Sequence, residues 1–447
     1  MALSILQRTE QFLDRIGRHD STLRSFITVD AEGARQRAAE LDAGLEDGAA
    51  TGPLYGQVIA VKDNIDTKGL RTSLGSKFHA ERVPDDDAEV VKRLRRAGAV
   101  VIGKTNLHEL AFGATTQNRH FGACRNPWNF DRIPGGSSGG SGAAVAAGMC
   151  DAAVGTDTGG SVRVPAALTG IAGLRPTVGR ISNRGIEPVA PQIDTVGPMS
   201  HTVAEVAKVY EAIAGYDPED EFSIDRPVES WWSALPCGAH GLRIGLPHES
   251  FFLRVEPEIE SVIRAAAKTL VDLGADIRAI DLDDLGETHA RLRLLVPTVI
   301  AARNRERLTM NPETFDENVR ERMSLGLKTT GTDSAEWSRL IERWSARVRR
   351  IFGTVDMVLV PTVGIEAPSV TTAADMIRIT GELTRLTFVW SYAGFPALSV
   401  PCGFTGAGLP VGMQLIGPQW SEATLLALGA AYQDATDFHT RRPAMAD

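Results

Sequence analysis

Cysteine is scarce in this chain, with four among 447 residues, Cys124, Cys150, Cys237 and Cys402. No two form a C-x-x-C pair, which excludes a disulfide framework and a cysteine-based zinc site. No run of 18 or more apolar residues occurs, so no membrane span is expected. Positive charge is in deficit: 47 Lys and Arg stand against 56 Asp and Glu, a net charge of −9. Phosphate recognition needs a basic face, so no nucleic-acid partner is expected. The first twenty residues, MALSILQRTEQFLDRIGRHD, carry charge throughout. They read as an amphipathic helix rather than a signal peptide. These absences lead to the expectation of a reduced, soluble, cytoplasmic protein.

What is present has a globular balance, 43% hydrophobic and 23% charged. Residues 1–50 read as two helices, the second rich in Ala, Glu and Arg. Residues 58–61 are a short apolar run, as in a buried strand, and end on Lys62-Asp63-Asn64. Val90, Val91 and Leu94 give residues 87–97 helical spacing, and residues 99–102 form a second apolar strand. Residues 131–200 are dense in Gly, Ser and Ala, yet too apolar for a flexible linker. Within them the pattern predicts a small-residue helix at 142–148 and a strand at 152–154. A helix at 201–214 follows, then a β-α-β unit from 242 to 282 and a helical, more polar stretch at 285–353. Further strands fall at 357–360, 398–400 and 411–416, with a closing helix at 422–434. Strands alternating with helices predict an α/β layered fold. Length alone would allow about three domains.

Several short motifs compete. Residues 98–105 fit the phosphate-loop pattern G-x-x-x-x-G-K-[ST], but the x positions are AVVI, strand material that cannot cradle phosphate. Gly135-Gly136-Ser137-Ser138-Gly139-Gly140 holds the pattern G-x-S-x-G twice, centred on Ser137 and on Ser138. That elbow needs a strand directly before it, and Pro134 with residues 129–133 makes a poor one. His108-Glu109 lacks the second histidine of H-E-x-x-H, and the nine histidines are dispersed, so no metal is expected. Gly155-Thr156-Asp157-Thr158-Gly159-Gly160-Ser161-Val162-Arg163 is different. Two glycines let backbone N–H groups converge with no Cβ in the way. Converging N–H groups beside a serine are what an oxyanion hole requires.

Lys62-Asp63-Asn64, the Gly135–Ser141 run and the Gly155–Ser161 run occur in that order, with Ser137 and Ser161 24 positions apart. Here the chain closely resembles the amidase signature family. The resemblance extends over Lys104-Thr105-Asn106 with Glu109, Asn126-Pro127-Trp128, Gly173-Leu174-Arg175-Pro176-Thr177 and Asp194-Thr195-Val196-Gly197-Pro198-Met199. It continues through Gly394-Phe395-Pro396-Ala397 and Leu409-Pro410-Val411-Gly412-Met413-Gln414, spanning about residues 51–417. It implies one α/β/α layered domain over residues 1–447 around a mixed central sheet, with N-terminal helices at 1–50 and a variable pocket region at 285–392. It also implies a catalytic triad of Lys62, Ser137 and Ser161. Ser161 would be the nucleophile, and Ser137, after a cis peptide, its bridge to Lys62. The N–H groups of Thr158, Gly159, Gly160 and Ser161 would form the oxyanion hole, braced by Asp157 and Arg163. No cofactor is implied.

A serine hydroxyl needs a base, and lysine serves only when neutral. Burial beside residues 58–61 would favour that form. The expected activity is hydrolysis of an amide C–N bond through a serine acyl-enzyme. The substrate would be a small-molecule amide or carbamate, and a homodimer stays open. Three alternatives share the sequence. The first is the A subunit of a tRNA-dependent amidotransferase, which releases ammonia from glutamine. It would need partner-docking surfaces and a glutamine-clamping arginine, neither of which is identified in the middle and C-terminal regions. The second is a carbamate, urea-type or ester hydrolase, and the third a non-catalytic binding protein. In this family the segments outside the shared core build the pocket, here residues 115–133, 285–350 and 365–392. Phe388, Trp390 and Tyr392 are its candidate lining, although aromatics at helical spacing also serve as core. No acid-binding arginine stands out, so a neutral aryl or medium-chain amide is expected.

Overall fold

A computed structural model describes residues 3–46 and 51–446. Thirteen strands are present among them. In chain order they are β1 (Phe26–Val29), β2 (Val58–Lys62), β3 (Val100–Thr105), β4 (Gln117–Asn118), β5 (Gly122–Ala123), β6 (Ala152–Asp157) and β7 (Ala172–Arg175). There follow β8 (Thr195–Ser200), β9 (Arg243–Pro247), β10 (Asp276–Ile280), β11 (Met357–Pro361), β12 (Ala397–Phe404) and β13 (Pro410–Ile416). All but β4 and β5 join one mixed sheet, ordered β1-β3-β2-β6-β8-β7-β12-β13-β11-β9-β10. β2 runs parallel to both β3 and β6, whereas β8 is antiparallel to β6 and β7.

Side chains alternate across a strand, and the sheet uses both faces. In β2, Ile59 and Val61 enter one core while Val58 and Ala60 enter another. The first core is closed by helices Glu89–Arg96, Val203–Ile213, Pro257–Asp272 and Glu422–Asp434. The second is closed by helices Ile5–Leu23, Ala31–Glu46 and Gly139–Ala146. The result is the α/β/α layering expected. A strand with both faces covered reads as a continuous apolar run, which is why residues 58–61 and 99–102 were legible.

The N-terminal fifty residues correct the sequence reading. They contain β1 between their two helices. β1 pairs antiparallel with β3, Phe26 opposite Thr105, with an irregularity before Thr28. Four residues on a sheet edge are too few to display a period. Two other strands run further than the sequence predicts. β3 continues through Lys104 to Thr105, and β6 through Gly155 and Thr156 to Asp157. Lys104 is therefore a buried strand residue whose ammonium donates to the Ile65 carbonyl and the Thr72 hydroxyl, not a phosphate-loop lysine.

Helices Leu285–Leu292, Leu295–Arg303, Glu317–Gly326 and Gly331–Phe352 form a further cover, whose Leu285, Trp344 and Val348 also enter the first core. A third apolar core joins Leu292, Val296, Phe315 and Val319 to Leu107 and Phe112 of the segment after β3.

Candidate active site

β2 and β6 are adjacent and parallel, so their C-terminal ends emerge side by side. In open α/β sheets this is the edge where ligands bind. Lys62 closes β2 and Asp157 closes β6. The Lys62 side chain is fully buried. Its Nζ lies 2.8 Å from Ser137 Oγ, 2.8 Å from Thr156 Oγ1 and 3.4 Å from the Thr156 carbonyl. A neutral amine has two N–H groups and one lone pair. Thr156 can take both N–H groups, which leaves the lone pair for the Ser137 hydroxyl. Burial pulls the Lys62 ammonium down from 10.5 to about 7, against the opposing pull of Asp157 and Asp194. Desolvation wins because no carboxylate forms an ion pair with Lys62 among the described residues.

Ser137 follows a cis peptide bond from Gly136. Its carbonyl accepts from the N–H of His108 at 3.1 Å. Ser138, the other elbow candidate, donates its buried hydroxyl to the Thr156 carbonyl at 3.2 Å. No strand lies directly before these serines, and helix Gly139–Ala146 follows. Ser161 is partly buried, and its carbonyl accepts from the N–H of Ser138 at 3.1 Å. Its hydroxyl makes no hydrogen bond among the described residues. The structure thus brings Lys62 and Ser137 into direct contact and ties Ser161 to the same loop through the backbone.

The turn carrying Ser161 is held by Asp157. Its carboxylate accepts from Arg163 Nε at 3.0 Å and Nη2 at 2.8 Å, and from Arg175 Nη1 at 3.1 Å. Burial alone would raise this carboxyl, but the two guanidiniums hold it far below the usual range. The Gly160 N–H also donates to Asp157, at 2.8 Å. That corrects the expected oxyanion hole: this donor points at the carboxylate, while Thr158, Gly159 and Ser161 have N–H groups free of protein partners among the described residues. Gly160 has φ of +128°, and a Cβ there would sit 2.3 Å from Thr387 Oγ1. A Cβ on Gly159 would sit 2.3 Å from the Phe388 ring. Thr387 Oγ1 donates to the Gly159 carbonyl at 2.6 Å.

Two residues of the matched segments have contacts that the sequence reading did not assign. Arg175 Nη1 donates to the carbonyl of Asp157 as well as to its side chain. Asp194 accepts from Thr158 Oγ1 at 2.6 Å, and burial raises its carboxyl to about 6. Their positions in ordered matches were the only available signal. Thr156 shared that signal, lying within the Gly155–Ser161 run, but Thr387 offered none, since it acts by proximity.

The three aromatic candidates separate. Phe388 lines a cleft of about 430 Å³ and covers Gly159. Trp390 corrects the expectation of a pocket residue: it is fully buried against Trp344, and its Nε1 donates to the Leu386 carbonyl at 2.8 Å. Its helix, Phe388–Tyr392, turns that ring away from Phe388's side and into the sheet core. Tyr392 stacks under Phe388 with ring centroids 4.7 Å apart and donates to the Leu292 carbonyl, so it supports the wall rather than lining it. The cleft draws on two of the three expected segments, 285–350 and 365–392, together with Arg254. Arginine is abundant there, Arg293, Arg322, Arg378 and Arg385 included, which the sequence reading did not single out. With Arg254 they are spread over more than a hundred positions of sequence, from 254 to 385, so no local pattern groups them.

Comparisons with known proteins bear on the fold and the family. The A subunit of glutamyl-tRNA(Gln) amidotransferase from Roseiflexus sp. (strain RS-1) is 42% identical over 99% of this chain and 95% of its own length. A solved structure of a vestigial protein complex, described as revealing the origins of an s-triazine catabolic enzyme, contains a chain 32% identical. It superposes with a TM-score of 0.90 over 97% of this chain and 95% of its own. The glutamyl-tRNA(Gln) amidotransferase A subunit from Thermotoga maritima, likewise 32% identical, gives 0.82 over 96% and 92%. These alignments include the middle and C-terminal regions in which the sequence reading identified neither partner-docking surfaces nor a glutamine-clamping arginine. The Amidase family profile itself covers residues 7–426, and with the Lys62, Ser137 and Ser161 segments inside that span, the chain belongs to the amidase signature family.

Proposed function

We propose that the chain cleaves the C–N bond of a carboxamide through an acyl-enzyme on Ser161. The observation that supports this best is a buried lysine near neutrality, 2.8 Å from Ser137 Oγ beside the Gly159-Gly160-Ser161 turn. Ser161 Oγ attacks the amide carbon and passes its proton to Ser137, whose own proton moves to Lys62. The carbonyl oxygen becomes an oxyanion facing the free N–H groups of the turn. As the C–N bond breaks, Ser137 protonates the departing nitrogen and recovers a proton from Lys62. Water then attacks the acyl-enzyme by the same route and releases the acid. Carbamates, ureas and esters undergo the same acyl transfer, so the substrate panel must include them. Fluorophosphonate labelling followed by mass spectrometry should place one adduct on Ser161. An adduct on Ser138 with Ser161 unmodified would sink this mechanism.

The curated relatives favour a second reading, in which the same half-reaction serves an amidotransferase. The 42% identical Roseiflexus relative bears that enzyme's name, and the match is nearly end to end. In that reading glutamine supplies the ammonia, and the partners are further protein subunits and glutamyl-tRNA(Gln). Co-purification with candidate partner subunits and glutamine-dependent amidation of glutamyl-tRNA would support it. Steady ammonia release from simple amides by the isolated chain, with no response to those partners, would support the first.

A further inference from the structure

His108-Glu109, which lacks the second histidine of a metal motif, has another use in the structure. Both side chains are buried, and both reach the start of helix Glu317–Gly326. Glu109 Oε2 accepts from the Asp316 N–H at 2.6 Å, and His108 Nε2 meets Asn318 Oδ1 at 2.9 Å. The direction of the second bond is fixed by its neighbours. Asn318 Nδ2 donates to the Asp316 carboxylate, which offers only acceptors, so Asn318 Oδ1 faces the imidazole as an acceptor. His108 therefore carries its proton on Nε2. Its Nδ1, 3.2 Å from Thr115 Oγ1, accepts from that hydroxyl, which in turn accepts from the Gln117 N–H at 3.4 Å. Burial lowers the imidazole below its ordinary value and so favours this neutral form. Gly113 lies against the ring: a Cβ there would sit 2.3 Å from His108 Nε2, so nothing larger fits between them.

The same segment holds Ser137. The His108 N–H donates to the Ser137 carbonyl at 3.1 Å, and Thr116 Oγ1 accepts from the Gly139 N–H at 3.1 Å. A Cβ on Gly136 would sit 2.8 Å from the Ala114 carbonyl carbon. Leu110, Ala111 and Thr116 take positive φ of 54°, 54° and 51° without being glycine. Such conformations persist only where the surrounding contacts over-determine them. The helix supplies those contacts. Its Val319 and Met323 share a core with Leu107 and Phe112, and Arg322 Nη1 donates to the Phe112 carbonyl at 2.7 Å. We infer that His108 is a positioning residue: its imidazole anchors to helix Glu317–Gly326 the backbone that holds Ser137, so the bridging serine is aligned only while the helical cover is docked. The inference rests on the proposed amide cleavage and names a control on its proton path. Leu325 of the same helix lines the cleft with Phe388, so the cleft wall and the serine that relays the proton are tied into one body.

The test measures the rate of fluorophosphonate labelling of Ser161 together with hydrogen exchange in peptides covering residues 134–142. Asn318→Ala and His108→Leu should each slow labelling by about 10- to 100-fold, the cost of a reacting group displaced by about an ångström. The double variant should be no slower than the slower single, as for residues that act through one link. His108→Gln, whose amide can still donate to Asn318, should recover part of the rate. Exchange at 134–142 should be faster in Asn318→Ala and unchanged in Ala152–Asp157. Asn318→Ala only removes atoms, so it carries the result if His108→Leu does not fold. A merely structural pair would lower the urea midpoint and leave labelling at the parent rate, which would overturn the inference. So would losses that multiply in the double variant, or slowed labelling with parent-like exchange at 134–142. Labelling of the parent on another residue would remove the triad, and the exchange result would then decide the link between cover and serine loop by itself.

Discussion

Lys62 sits at the end of β2 with its amine enclosed, and at this scale the pH behaviour follows from one displaced proton. Burial brings it from 10.5 to about 7. Activity needs the neutral amine, so kcat/KM should rise with pH and level off above an inflection near 7. A lysine at its ordinary value would keep the rate rising past pH 9. Lys62→Arg should be inactive at every pH, since arginine stays protonated. The same displacement has a stability consequence of defined sign. Between about 7 and 10.5 the unfolded chain holds a proton that the native state lacks, so native stability grows with pH across that window. Lys62→Met should remove this contribution, which is read as a smaller gain in urea midpoint from pH 7 to pH 10 than in the parent. Asp157 acts at the other end of the scale: Arg163 and Arg175 hold its carboxyl far below the usual range, so its contribution is present above the ordinary carboxylate range and is lost only as pH falls into strong acid. Asp157→Asn leaves two buried guanidiniums underpaired and should cost about 3–5 kcal/mol, measured as a lowered urea midpoint. Both residues were legible in the sequence, because Lys62-Asp63-Asn64 and Gly155–Arg163 lie in ordered matches. The commitment of the Gly160 N–H to Asp157 was not, since a spacing of three residues does not fix where an amide points.

Among the elements, helix Phe388–Tyr392 divides its duties by side-chain direction. Phe388 faces the cleft, Trp390 the sheet core, and Tyr392 the helical cover. Trp390→Ala should therefore cost about 3–5 kcal/mol, as large-to-small core changes do, with soluble yield and unfolding midpoint falling together. Phe388→Ala should change the ratio of kcat/KM between an anilide and a small aliphatic amide with far less effect on the midpoint. The Gly159-Gly160 turn supplies a sharper check. Gly159→Ala places a methyl 2.3 Å from the Phe388 ring, so fluorophosphonate labelling of Ser161 should drop sharply. Adding Phe388→Ala should restore part of it, a non-additivity expected only of residues in contact. Sequence pattern located this helix among pocket segments but not its faces. A five-residue helix shows barely one turn, too little for a period to separate cavity from core. β1, four residues at an edge of the sheet, escaped notice for the same reason.

Taken whole, the molecule sets a sheet covered on both faces against a helical cover with much exposed surface. β6 and β8 are fully buried, whereas helix Gly331–Phe352 buries only Trp344, Ser345 and Val348. Local opening is easier where few apolar contacts are made. Hydrogen exchange should therefore be slow in Ala152–Asp157 and Thr195–Ser200 and faster in Gly331–Phe352. Equal protection across these segments would mean that the cover is part of the same cooperative unit. The α/β layering and the ordered segments around Lys62, Ser137 and Ser161 were determined by the sequence itself. Buried parallel strands need continuous apolar runs, and a turn with no room for Cβ needs glycine, so both constraints act on neighbouring residues and leave local marks. The partners of those residues were decided by tertiary structure alone. Thr156 beside Lys62, Thr387 over Gly160, and Arg322 in one cleft with Arg385 are joined by packing across long separations. Contacts of that kind impose no local period or composition on the chain, and they exist only once the sheet and its helical cover have come together.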